Sequence, residues 1–149
     1  MKNYIVFFFI LLGISVLLAA LGSHFIFEVT QDDELLSLWT TTVNYQIYHS
    51  LGGILMLIVF KQCNITEKWP VNLLIAGIFL FCGFFYVKTG LLLENPTIDF
   101  GVLKNVRPTG GLLFVAGWFG AAGLVNHKIR RQIKRDGGSK SRRKKQSSQ

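Results

Sequence analysis

Four stretches, Tyr4 to Leu21, Tyr45 to Phe60, Val71 to Val87 and Gly110 to Val125, run without a single Asp, Glu, Lys or Arg. Helices of that length with no charged face have nothing to present to water, so a soluble bundle is excluded and bilayer hydrocarbon is the solvent that fits. Each stretch is a little shorter than the ~20 residues that cross a bilayer upright. Flanking residues therefore extend them to spans of about 4–22, 43–60, 71–90 and 109–126. A mean hydropathy of +0.41 is high for a soluble domain and agrees with a chain that is mostly membrane body.

The fold class that follows is all-α: an integral membrane four-helix bundle over residues 1–127, then a basic tail over residues 128–149. A cleaved leader competes for the first stretch, with Lys2 as its charged start and small residues at Ala20 to Gly22. Its apolar core is longer than such leaders use, and removing it would leave a three-helix remainder.

Charge orients the spans. Glu28, Asp32, Asp33 and Glu34 lie in the first link, which has no basic residue, whereas Lys61 and Lys68 flank the second. Lys128, Arg130, Arg131, Lys134 and Arg135 follow the fourth span, so the positive-inside rule puts both termini in the cytoplasm of a bacterial inner membrane. Lys88, Lys104 and Arg107 in the third link oppose this but are outnumbered.

The tail "GGSKSRRKKQSSQ" has no apolar residue and is expected to lack structure in isolation. Arg142, Arg143, Lys144 and Lys145 suit contact with anionic lipid, RNA phosphate or a partner, without sequence-specific nucleic-acid readout. The plainer reading is a solvated topology determinant. Before it, "VNHKIRRQIKR" is able to extend the fourth helix.

"QDDELLSLWTTTV" suggests a short interfacial helix leading into the second span, and Trp69–Pro70 and Pro108 mark the starts of the third and fourth. Asn64, Ile65 and Thr66 spell a glycosylation sequon on the cytoplasmic side, read as chance. Cys63 and Cys82 have neither metal-site spacing nor the pattern of a disulfide framework, and no metal is expected.

The second span opens with "NYQIYH". At 100° per residue Tyr45, His49, Gly52, Gly53 and Met56 share one side, flanked by Gln46 and Tyr48, with Ile47, Leu51 and Leu55 opposite. Polar groups should turn inward, because an unpaired donor in hydrocarbon is costly. In the third span Ala76, Gly83, Tyr86 and Gly90 fall on one arc. In the fourth, Gly110, Gly117 and Ala121 form one small-residue stripe and Ala116, Gly120 and Gly123 a second, which implies two packing partners.

"NYQIYHSLGGILM", "FCGFFYVKTG" and "RPTGGLLFVAGW" resemble the signature blocks of the small membrane proteins of the YgdD and YwdK type, a family whose domain has no assigned function. The resemblance spans roughly residues 1–126 and implies four spans with the Tyr-Gln-x-Tyr-His block opening the second. Gly22, Ser23 and His24 sit where such proteins carry Gly-Ala-His, while Arg107 and Thr109 depart from a block that more often reads Thr-Pro-Ile-Gly-Gly. No reaction, cofactor or partner is implied.

Two function classes stay open. A structural or accessory protein, as a small subunit of a membrane complex or a homo-oligomer, would use His49 and Gln46 to bond Tyr86 or a freed carbonyl across helices. A binding bundle would use His24 and His49, expected at one level on the outer side, with Tyr45, Gln46 and Tyr48, to hold a lipid, quinone or haem. His127 lies at the other end and cannot join them. No nucleophile–base constellation and no carboxylate within a span points to catalysis or ion coupling.

Overall fold

The computed structural model describes residues 1–94 and 106–146. Its described residues are helical, with α1 Lys2–Leu21, a π-helical turn Gly22–Ile26, α2 Phe27–Thr30, α3 Asp33–Gln62, α4 Trp69–Ile78, a second π-helical turn Phe79–Gly83, α5 Phe84–Glu94 and α6 Val106–Gln146. The pieces join into four helices long and apolar enough to cross a membrane: Lys2–Thr30, Asp33–Gln62, Trp69–Leu91 and Val106–Arg135.

No separate interfacial helix precedes the second span, contrary to expectation. The Asp32 carboxylate accepts from the Leu35 main-chain N–H at 3.0 Å, and Asp33 and Glu34 oppose the helix dipole in the first turn. With the cap so far upstream, α3 runs unbroken from Asp33. It ends where Asn64 takes a positive φ of 51°, a conformation asparagine tolerates better than most residues. Lys128 Nζ then donates to the Asn64 carbonyl oxygen at 2.7 Å, tying the loop to α6.

The bundle consists of two hairpins. α3 lies along α1, and α6 lies along α4 and the second π-helical turn. Phe8, Leu57, Phe60, Val71, Leu74 and Phe114 fill the core between them, while Ile26, Trp39, Val43 and Phe85 form a smaller cluster toward the acidic end. Tyr4 also joins the hairpins, its hydroxyl donating to Asn72 Oδ1 at 2.9 Å.

Close backbone approach defines the second hairpin. A Cβ on Gly110 would stand 2.5 Å from the Phe81 main-chain nitrogen, and one on Gly117 3.0 Å from the Pro70 carbonyl oxygen. The first expected stripe of α6, Gly110–Gly117–Ala121, is thus buried against α4 and the π-helical turn. The second has one packing position, Gly120 beneath the Trp69 ring. Ala116 and Gly123 are exposed, so α6 has one close partner rather than two.

The arc expected in the third span does not form. The π-helical turn at Phe79–Gly83 inserts extra backbone, and each added residue shifts the helical phase by about 100°. Ahead of that turn Gly77, absent from the expected arc, faces Phe114 and the Gly110 carbonyl oxygen. Gly83 has nothing within contact distance and Gly90 is exposed.

Helical backbone continues in α6 to Gln146, through residues expected to lack structure in isolation. Propagating an existing helix needs no new nucleus, and Lys, Arg and Gln are good helix formers. The described side chains end at Arg135, so the side chains of Arg142, Arg143, Lys144 and Lys145 lie outside them.

Candidate functional site

Gln46 is the innermost member of the Tyr45–His49 block, not a flanking one. It is 3% exposed, and its Nε2 donates to the Leu11 carbonyl oxygen at 3.1 Å, across the α1/α3 seam. Ser15 Oγ donates to the same oxygen at 2.8 Å. Two turns further out, Trp39 Nε1 donates to the Leu18 carbonyl oxygen at 2.7 Å. Both α3 side chains thus bond main-chain carbonyls of α1, an arrangement suited to hydrocarbon, where a carbonyl's second lone pair has no water to turn to.

These contacts set a register that separates the two histidines. Trp39 packs on Gly22 and Gly53 on Phe8, so His24 lies level with the Trp39 end of α3, whereas His49 is near its middle. From Trp39 to His49 the helix rises about 15 Å at 1.5 Å per residue. The expectation that they share one level therefore fails, and with it a haem or metal held between them. The early start of α3 is the reason: it adds about three turns ahead of the Tyr45–His49 block. Among the described residues no group of three or more His, Cys, Asp or Glu side chains is arranged to hold a metal.

Tyr86 is not the partner of His49 or Gln46. Its ring packs on Trp39 at a centroid distance of 5.0 Å, and its buried hydroxyl has no hydrogen-bond partner among the described residues. His49 Nδ1 instead lies 2.8 Å from the Tyr45 carbonyl oxygen one turn back. A carbonyl only accepts, so Nδ1 carries a proton, and in the neutral form of the ring the lone pair is on Nε2.

His49 belongs to an aromatic stack between the hairpins. Its ring lies 3.5 Å from that of Phe114, centroid to centroid and nearly parallel, and Tyr45 stacks on Phe81 at 4.9 Å. Tyr45 and Tyr48 are exposed to the bilayer, where the sequence pattern had suggested a protein face. Around this stack α3 and α6 diverge, leaving a cleft of about 620 Å³ lined by Tyr45, Tyr48, His49, Phe81, Phe114 and Trp118 among others. Gly52 is packed beneath the Trp118 ring.

Sequence reasoning gave Arg107 no role beyond its charge. Its guanidinium stands 4.6 Å from the Phe81 ring and 4.7 Å from the Phe85 ring, and Nη2 donates to Thr42 Oγ1 at 3.1 Å. The signal was its position immediately before Pro108, at the start of a span whose neighbour carries a run of phenylalanines.

Comparison with known proteins adds a family of unknown function. A family profile described as "Protein of unknown function (DUF423)" matches residues 18–111. A UPF0382 membrane protein of Staphylococcus haemolyticus is 35% identical over 115 residues, covering 74% of this chain and 88% of the relative. One of Schizosaccharomyces pombe is 36% identical over 106 residues, 70% and 86% of the two chains. The UPF0382 membrane protein YwdK of Bacillus subtilis is 31% identical over 119 residues, 74% and 89%. No solved structure matches the chain.

Proposed function

The chain belongs to the DUF423 family of integral membrane proteins, and on that premise we propose that it serves as a non-catalytic accessory helix bundle for a membrane-protein partner or a second copy of itself. The observation that carries the reading is the destination of its in-membrane polar groups. Gln46 and Trp39 of α3 both donate to main-chain carbonyls of α1, so this chemistry joins helices.

Both termini face the cytoplasm of a bacterial inner membrane in this proposal. Lys61, Lys68 and Lys128 gather at one end of the bundle, with Lys128 donating to the Asn64 carbonyl, while Glu28, Asp32 and Asp33 lie at the other. The tail carrying Arg142 to Lys145 would then meet anionic headgroups of the inner leaflet.

Purification of the tagged full chain from native membranes in mild detergent, followed by native electrophoresis and mass spectrometry, tests the accessory role. A defined oligomer or a stoichiometric membrane-protein partner is expected. A monomer with no associated polypeptide rejects it.

A further inference from the structure

We infer that the cleft between α3 and α6 binds a neutral, lipid-soluble aromatic ring that bears a hydroxyl group and a long hydrocarbon tail, as a quinol or prenylated phenol does. The inference does not depend on the accessory role. Two adjoining hollows lie along one seam. The cleft at His49 is walled by Tyr45, Phe81 and Phe114, and the neighbouring groove, of about 480 Å³, is lined by Leu55, Met56, Val59, Phe60 and other residues, nearly all apolar. Trp118 lines both, its indole standing on Gly52 between them.

The chemistry of each hollow selects one part of the ligand. Aromatic walls favour a flat ring by offset or edge-on stacking. Neither hollow has an Asp, Glu, Lys or Arg in its lining, which disfavours a charged phospholipid headgroup. A neutral ring suffers no such penalty. His49 supplies the polar contact: its Nδ1 proton is committed to the Tyr45 carbonyl, so Nε2 is an acceptor that a ligand hydroxyl satisfies. The apolar groove then takes the tail. Tyr48 and Phe119 at the cleft mouth are 62% and 76% exposed, so the ligand arrives laterally from the bilayer.

The test uses the full chain in phosphatidylcholine nanodiscs, kept reduced and titrated with decyl-hydroquinone and with its dimethyl ether. Saturable hydroquinone binding is expected, with about tenfold weaker binding of the ether, which has no proton to donate. In histidine-labelled protein the His49 Nε2 resonance should shift on saturation by the hydroquinone only. His49→Phe keeps a ring on Phe114 but removes the acceptor and should weaken hydroquinone binding by about tenfold. Trp118→Leu, at a site already 41% exposed, should weaken both ligands. Equal binding of the two ligands, an unmoved His49 resonance at saturation, or uptake that never saturates and so reflects acyl-chain-like partitioning would each overturn the inference. The resonance measurement needs no variant, so it decides even if His49→Phe fails to fold.

Discussion

The indole N–H of Trp39 donates to the carbonyl oxygen of Leu18 at 2.7 Å, and the ring that makes this bond is 4% exposed. One bond therefore fixes the axial register of α1 against α3 at the acidic end, with the same ring packed on Gly22. Trp39→Phe retains most of the packing and removes the donor. Unfolding of the detergent-solubilised protein by increasing dodecyl sulfate should show a loss of about 1 kcal/mol. Trp39→Ala, which also empties the site, should cost roughly 3–5 kcal/mol. Wild-type stability in Trp39→Phe would mean that the bond contributes nothing.

Gln46 forms the second fastening and should matter less than its burial suggests. The Leu11 carbonyl it reaches also accepts from Ser15 Oγ, so losing Gln46 does not strand that oxygen. Gln46→Leu, close in volume and apolar, should cost about 0.5–1 kcal/mol in the same assay, whereas Gln46→Ala should cost more because it opens a cavity. Equal losses for the two would assign the whole effect to the hydrogen bond.

Two glycines that look alike in the sequence should behave oppositely. Gly110→Ala drives a Cβ to 2.5 Å from the Phe81 main-chain nitrogen and must push α6 away from the third span. Overpacking of that kind costs about 1–3 kcal/mol. At Gly83 nothing lies within contact distance, so Gly83→Ala should be neutral or stabilise by up to about 1 kcal/mol by restricting the unfolded chain. Comparable melting temperatures for the two variants would refute the close approach at Gly110.

That contrast shows how far the sequence could be read. The four spans were legible because they follow from composition alone, and the Gly110–Gly117–Ala121 stripe because α6 keeps one helical phase throughout. The third-span arc failed because a fixed 100° step does not anticipate the π-helical turn at Phe79–Gly83. At the candidate site, inward-turning polar groups were a sound expectation for Gln46. The proposed pairing of His24 with His49 depended on where α3 starts, and the Asp32 cap moved that start upstream of the apolar run.

At the basic end, acid should loosen the loop that joins the hairpins. Hydrogen bonding to its own main-chain N–H, and to that of Thr66 at 3.0 Å, with Lys128 nearby, outweighs desolvation and holds the Glu67 carboxyl below its usual range. A carboxyl depressed in the folded state adds stability that is present above its unfolded pKa and disappears as pH falls through the folded one. The group is solvent-exposed, so the effect is small. Thermal unfolding from pH 6 down to pH 3 should show a slight acid-induced loss that Glu67→Gln lacks. The same pH dependence in both proteins would assign it to other groups.

Arg107 gives the strongest case for a residue type rather than a charge. Its guanidinium stacks between Phe81 and Phe85 at 4.6 and 4.7 Å and donates to Thr42 Oγ1, while the Thr42 hydroxyl donates to the Leu38 carbonyl at 2.7 Å. A planar cation can meet two rings and one oxygen at once, which a lysine ammonium cannot reproduce from its single point of charge. Arg107→Met should cost about 1–2 kcal/mol, between the exposed and the desolvated cases of a cation–π contact, with Thr42 left satisfied as a donor. Arg107→Lys should recover only part of that, and the shortfall measures planarity. If lysine restores full stability, charge at the outer end of the bundle is all that matters; if methionine is already neutral, the two phenylalanines hold the third span to α3 without the cation.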